Sequence, residues 1–225
     1  MGSSRVFSDR EDAAGQLAER LQEYRGRNPL ILAIPRGAVP MGEVLAERLE
    51  GELDVVLVHK LGAPFDPEFA IGSIDEDGWT YLATDFEDDS GGLIEQVKSR
   101  QLSVLKARRA KYTPFAPPIS PEGRIAIVVD DGLATGATMI AALHAVRQRK
   151  PAELICALPV AASDSLAKVE ALADKTVCLH SIPHFGAVSL YYRHFSQVED
   201  EDVASILAAA RKQAADHHPP PRSGD

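Results

Sequence analysis

Short oily runs alternate with amphipathic stretches along this chain. LILAIP at 30–35, VVLVHKL at 55–61, IAIVVDD at 125–131, ELICALPV at 153–160 and TVCLHSI at 176–182 are apolar with little polar alternation. That is the pattern of parallel strands covered on both faces. Between them, segments 9–24, 39–50, 91–112 and 135–150 place apolar residues at helical spacing, and 164–173 and 199–215 do the same. Strand–helix repetition implies right-handed crossovers. The expected fold is therefore α/β, an open and mostly parallel sheet flanked by helices, with ligands bound beyond the carboxyl ends of its strands.

Two regions break the rhythm. Residues 62–90 are rich in Gly, Pro and acids and contain two β-like pieces, FAIGSI and TYLAT; they read as a flexible loop leading into a β-hairpin. The low-complexity end DHHPPPRSGD reads as disordered. The expected organisation is a core over 1–180 carrying the hairpin, an aromatic segment and C-terminal helix over 181–210, and a tail over 211–225.

Composition narrows the function classes. The chain has 225 residues, 45% hydrophobic and 25% charged, with a net charge of −9 and no long basic run. A protein that grips nucleic-acid phosphates needs a basic patch, so that class is disfavoured. An acidic chain can still hold a local anion on backbone amides. With no apolar stretch of about 20 residues and no apolar leader, the expectation is a cytoplasmic protein outside membranes. Cys156 and Cys178 lie inside strand-like runs and read as reduced core thiols.

The chemistry concentrates in VVDDGLATGATM, residues 128–139. Two adjacent carboxylates cannot both be buried unpaired, so Asp130 and Asp131 belong at the open edge of the sheet. Successive strand residues face opposite ways, so only one can face a ligand fully. The small residues Gly132–Thr138 let backbone N–H groups approach an anion, Thr135 and Thr138 add hydroxyls, and a helix starts near Gly136, where free amides and the dipole favour phosphate. Acids that accept from a sugar diol beside a phosphate cradle describe a ribose 5-phosphate site. The run lacks the spacing and lysine of a nucleotide P-loop.

Residues 128–139 resemble the phosphoribosyl-diphosphate (PRPP) motif of type I phosphoribosyltransferases. They are most similar to the adenine and orotate branches. The order of elements over about 5–200 resembles the predicted-phosphoribosyltransferase group of that family. In the hypoxanthine-guanine branch an Asp stands at the position of Ala134 and handles the base proton, so that branch's mechanism is not implied here. The resemblance implies the type I fold, with a small hood that recognises the base. Phe185, Val188, Tyr191, Tyr192 and Phe195 fall in the hood segment and read either as ring-stacking groups or as its packing.

The resemblance also distributes roles. Asp130 and Asp131 would hold the ribose hydroxyls. Leu133, Ala134, Thr135, Gly136, Ala137 and Thr138 would surround the 5-phosphate. The turn Arg36-Gly37-Ala38 would bind pyrophosphate, in a loop that often carries a non-proline cis peptide in the family. Lys60 would contact the diphosphate within its own subunit or across a homodimer. Glu68 is either the group that handles a proton on the base or a solvated loop acid. Mg²⁺ would act through PRPP oxygens and water, with Asp130 or Asp131 as its only side-chain candidates. The implied reaction transfers the phosphoribosyl group of PRPP to a nitrogenous base and releases pyrophosphate. The alternative is a PRPP- or nucleotide-binding regulatory protein without turnover.

Overall fold

The computed structural model describes residues 6–63, 66–82, 92–114 and 116–217, without the side chains of 66–70 and 215–217. The elements run α1 (Arg10–Arg20), β1 (Leu30–Ala33), α2 (Val39–Leu49), β2 (Glu52–Val55), β3 (Val58–Ala63), β4 (Asp66–Asp75), β5 (Thr80–Leu82), α3 (Leu93–Tyr112), β6 (Ile125–Val129), α4 (Ala137–Gln148), β7 (Glu153–Ala162), α5 (Ser163–Glu170), β8 (Lys175–Ile182) and α6 (Asp200–His217).

Five strands form one sheet in the order β2-β1-β6-β7-β8, every pair parallel. The alternation of side chains divides the core. Ile31, Ala33, Ile127, Val129, Ile155 and Ala157 pack on one face with α1, α2 and α6. Leu30, Leu32, Ala126, Val128, Leu154 and Cys156 pack on the other with α4 and α5. The strand order reverses between β1 and β6, so crossovers leave from opposite sides there and open a crevice at the carboxyl ends. The chain places its Arg-Gly turn and its Asp pair at those two ends.

The run at 55–61, expected as a single core strand, is two strands. β2 starts earlier, at Glu52, and leaves the sheet after Val55. Val58–Ala63 then pairs antiparallel with β4 in a separate three-stranded sheet, β3-β4-β5. A continuous apolar run cannot reveal such a bend, and Asp54 disguises the true start. Its side chain is buried within a cluster of charges. Arg109 of α3 donates to Asp54 at 2.7 Å and, through two nitrogens, to Glu76 at 2.6 Å each. The Ile119 amide donates to Asp54 at 2.8 Å.

This cluster pins the β4–β5 turn to α3, and α4 holds the same hairpin from the other side. Arg149, just past α4, pairs with Asp77 at 2.6 Å. His144 stacks on Tyr81 at 3.9 Å between ring centroids, with Trp79 beyond. Burial lowers the His144 pKa, which keeps the ring neutral in the stack.

The C-terminal helix continues to His217, two residues past the helical pattern at 199–215 and into the segment expected as tail. Arg211 anchors that segment, donating to Asp54 at 3.3 Å and to the Pro117 carbonyl at 3.0 Å. The low-complexity residues 218–225 lie outside the described residues. Both cysteines are free; burial holds the Cys156 thiol well above its usual range and Cys178 at about 11. No described helix is long and apolar enough to cross a membrane.

Replacing Arg109 by Met would leave Asp54 and Glu76 buried without their shared cation. The expected loss is about 3–5 kcal/mol of folding stability, the cost of breaking a buried pair from one side. Urea unfolding of the variant beside the parent chain checks it.

Candidate functional site

The crevice between β1 and β6 is built from backbone outward. β6 ends at Val129, and continuing its alternation carries Asp130 toward the α4–α5 face and Asp131 toward the α1–α2 face. The two carboxylates therefore meet different surroundings.

Asp131 meets α1. Arg10, in the first turn of α1, donates to Asp131 Oδ2 from Nε at 3.0 Å and from Nη2 at 2.8 Å. The Tyr192 hydroxyl donates to the Asp131 carbonyl at 2.6 Å. Burial, together with the Asp131 charge, pushes the Tyr192 phenol well above its usual range, so it remains a donor. Gly37 lies against the same carboxylate: a Cβ added there would stand 2.1 Å from Asp131 Oδ2. The Arg-Gly turn needs its glycine for that approach rather than for an unusual φ. The Pro35–Arg36 peptide of this turn is cis.

Asp130 faces the loop. Its Oδ1 accepts from the Asp131 amide at 2.9 Å, and it lines a cavity of about 170 Å³ with Gly132–Met139 and Val188. Burial, followed by the neighbouring Asp131 charge, raises its pKa well above the carboxylate range. Asp130 thus holds a proton more readily than an ordinary aspartate.

The loop is stitched to β7 and α5. The Leu133 amide donates to the Val160 carbonyl at 2.9 Å, and the Ala162 amide donates to the Leu133 carbonyl at 2.8 Å. Leu133, expected among the groups around a phosphate, is therefore a core residue with its amide engaged, and is 2% exposed. The Ser165 hydroxyl of α5 donates to the Ala134 carbonyl at 2.7 Å. Gly136, at φ 84°, takes the left-handed conformation that glycine favours and starts α4. Ala134, Thr135, Ala137 and Thr138 are exposed around it. The first amides of α4 have no partner within the helix and, with the dipole, favour an anion.

The hood closes over this loop. The amides of Val6 and Phe7 donate to the Tyr191 carbonyl, and the Arg193 amide donates back to Phe7. Phe185 stacks on Tyr191 at 5.0 Å, and Tyr192 lies between Phe7 and Phe195. Tyr191 and Tyr192 are buried, so these rings serve mainly as packing. Val188 reaches the loop: a Cβ on Gly132 would meet it at 2.6 Å.

The structure brings Arg36, Gly37, Ala38, Asp130, Asp131 and 133–138 to one crevice. Arg36 is half exposed and donates to Glu199 at 3.3 Å, with Asp200 at 3.9 Å. Lys60 stands on β3 opposite Ser73, in the hairpin sheet rather than at the end of a core strand. Glu68 lies in β4, and its side chain is outside the described residues. Among the described residues, no group of three or more His, Cys, Asp or Glu is placed to hold a metal ion. The donor set fits a cation carried largely by ligand oxygens. Arg10, Ser165 and Glu199 are parts of the surroundings that sequence reasoning passes over, and Tyr192, read there as a hood ring, acts here through its hydroxyl. Of the first three, only Arg10 leaves a trace in the sequence, as a cation in a first helical turn, the end where the dipole disfavours it.

A family model described as the phosphoribosyl transferase domain matches residues 8–193. The chain belongs to this family. Two curated relatives of this chain, from Mycobacterium tuberculosis strains CDC 1551 and H37Rv, carry the phosphoribosyl transferase name provisionally. Each is 38% identical over 94% of the chain. The chain spans about half of their length, 48%. The crystal structure of TT1426 from Thermus thermophilus is 40% identical, superposes with a TM-score of 0.82, and covers 91% of this chain and 98% of its own.

Asp130→Asn tests the electrostatic state of the crevice. Because the fold raises the Asp130 pKa, the native chain binds that proton more tightly than the unfolded chain. Stability at this position therefore falls as pH climbs from the unfolded carboxyl range, near pH 4, through the raised folded value. The neutral amide should raise Tm by a few degrees, about 2–4 °C per kcal/mol recovered, at pH 8 and by little at pH 4. Calorimetric melting at both pH values checks this.

Proposed function

We propose that this phosphoribosyl transferase moves the 5-phosphoribosyl group of PRPP to a nitrogenous base and releases pyrophosphate. The observation that carries the reading is the juxtaposition of Asp130 with the Gly132–Met139 cavity. The cavity's volume of about 170 Å³ is small beside the roughly 300–1,000 Å³ of pockets for drug-sized ligands, and suits a phosphate better than a whole nucleotide. The amides of 134–138 would cradle the 5-phosphate, and the carboxylate pair would accept from the ribose hydroxyls. Arg36, across the crevice, would take the leaving diphosphate.

As the C1–O bond breaks, positive charge grows on the ribose and negative charge on the leaving group. Asp131 would favour the first, and Arg36, with Lys60 as a further proposed cation, the second. Mg²⁺ bound to the diphosphate would supply further neutralisation of the leaving group. Ala134 offers no carboxylate to a base, and Glu68 is the proposed proton acceptor where the base needs one. A homodimer in the cytoplasm is the proposed working form.

Calorimetry of PRPP binding with Mg²⁺, followed by a pyrophosphate-release screen over purine and pyrimidine bases, tests the reading. Binding and turnover with one base is the expected result. Binding without turnover on any base would favour a regulatory protein, and no binding would overturn the reading. The double variant Asp130→Asn, Asp131→Asn should fold and lose most PRPP affinity.

Arg36 gives a separate prediction. Arg36→Ala should weaken pyrophosphate binding more than ribose 5-phosphate binding. Glu199→Gln removes the acid that now engages Arg36 and should strengthen pyrophosphate binding by up to about fivefold, the range of an exposed ion pair. Inhibition constants for pyrophosphate in the two variants should move in opposite directions.

A further inference from the structure

Arg10 is 9% exposed, a degree of burial that arginine rarely shows without partners. It has three kinds. Nε and Nη2 converge on Asp131 Oδ2, Nη1 donates to the Ser196 carbonyl at 2.6 Å, and the guanidinium carbon sits 3.9 Å from the centre of the Phe195 ring. These partners come from the loop after β6 and from the hood. Arg10 itself comes from α1, whose other first-turn charges, Glu11 and Asp12, are the acids a helix start favours.

Holding α1 against the hood does not require this charge. Phe7, Tyr192 and the backbone pairing of 6–8 with 191–194 already join them, and apolar residues usually replace a buried ion pair without loss of stability. What the guanidinium adds is direction. Two of its nitrogens hold one oxygen of Asp131, while Oδ1 has no partner among the described residues. The Tyr192 hydroxyl fixes the Asp131 backbone at its carbonyl, and Gly37 allows the carboxylate no Cβ to clash with. The side chain is thereby held by Arg10, on a backbone that Tyr192 fixes and in a space that Gly37 leaves open.

We propose that Arg10 is a positioning residue for the sugar: it fixes the Asp131 carboxylate so that Oδ2 is held and Oδ1 is presented to a ribose hydroxyl. The inference rests on reading the crevice as a ribose 5-phosphate site. It adds to that reading a residue from the first helix and a reason for the hood to be joined to it. Through Ser196 and Phe195, the orientation of the sugar acceptor depends on the hood being seated. A preset carboxylate loses less freedom on binding than a mobile one.

The test separates direction from packing. Arg10→Lys keeps the charge and loses the planar fork; Arg10→Ala removes both. Ribose 5-phosphate and inorganic phosphate are titrated into the parent chain and each variant by NMR, with thermal melts to verify folding. Arg10→Lys should weaken ribose 5-phosphate about tenfold, the effect of one charge-assisted hydrogen bond put out of place. Inorganic phosphate, which touches only the loop amides, should change by less than about twofold on the same scale. Arg10→Ala should show the same split, more strongly. Equal losses for both ligands would mean that Arg10 merely supports the fold, and no loss for either would mean that it does not orient Asp131. Both outcomes overturn the proposal and leave the site reading intact. Failure of the parent chain to bind either ribose 5-phosphate or PRPP overturns the site reading, and this proposal with it.

Discussion

Two carboxylates in succession at the end of a buried strand are the constraint around which the crevice is arranged. Side by side they repel, and neither can be taken out of water without compensation. Strand alternation separates them to opposite faces of the sheet, and each face resolves its own charge. On the α1 face Asp131 receives a guanidinium, and a glycine gives it room. On the α4 face Asp130 receives, among the described residues, only the Asp131 amide, and its affinity for a proton rises instead. The crevice therefore holds one acid fixed by a cation and one acid left short of partners. The second is the more open to a ligand that brings hydrogen-bond donors.

A contrasting solution stands at the edge of the same sheet. Asp54 and Glu76 are both buried, yet three hydrogen bonds from one guanidinium, with the Ile119 amide and Arg211, meet their needs. That cluster fixes the hairpin sheet to α3. Helix α4 spans the distance between the two arrangements. Its N-terminus lines the cavity beside Asp130, and its C-terminal half carries His144 and leads to Arg149, which hold the hairpin. A shift of α4 at the cavity would be felt at the hairpin, because the helix is a rigid connection between them.

The sheet, its helices and the crevice were legible in the sequence wherever local pattern decides structure. Parallel strands buried on both faces have to be oily throughout, so β1, β6 and β7 announced themselves, and β8, a half-buried edge strand, carried enough of the same pattern. The Asp-Asp-Gly run with its small-residue loop marked the strand end at which the crevice opens. The bend at Val56 was hidden because both halves of the run are apolar. The start of β2 was hidden because Asp54 looks like a boundary until Arg109, 55 residues away, is placed beside it. Leu133 read as part of a phosphate loop by position, but its amide is committed to β7, a pairing that only the register of the loop against Val160 reveals. Arg10 is the same kind of case. No local rule ties a first-turn arginine to a carboxylate 121 positions later, and its one clue is that it stands where a helix prefers an acid.

The charge balance of the chain bears on how such a crevice can take anions at all. With a net charge of −9, long-range repulsion works against a phosphorylated ligand, so the local terms have to dominate. Backbone amides at the start of α4 carry their partial charge whatever the overall balance. Arg36 is different, because the acids at the start of α6 already engage it. Those acids are well placed for their own helix, and Asp200 is held further by Tyr112 and Lys111. A diphosphate reaching Arg36 would exchange one anionic partner for another rather than claim an unpaired cation. The net gain at that position is accordingly smaller than a bare arginine would give, and release of a bound diphosphate is easier by the same amount. If Arg36 holds a leaving group as proposed, an acid beside it would weaken binding and favour departure together.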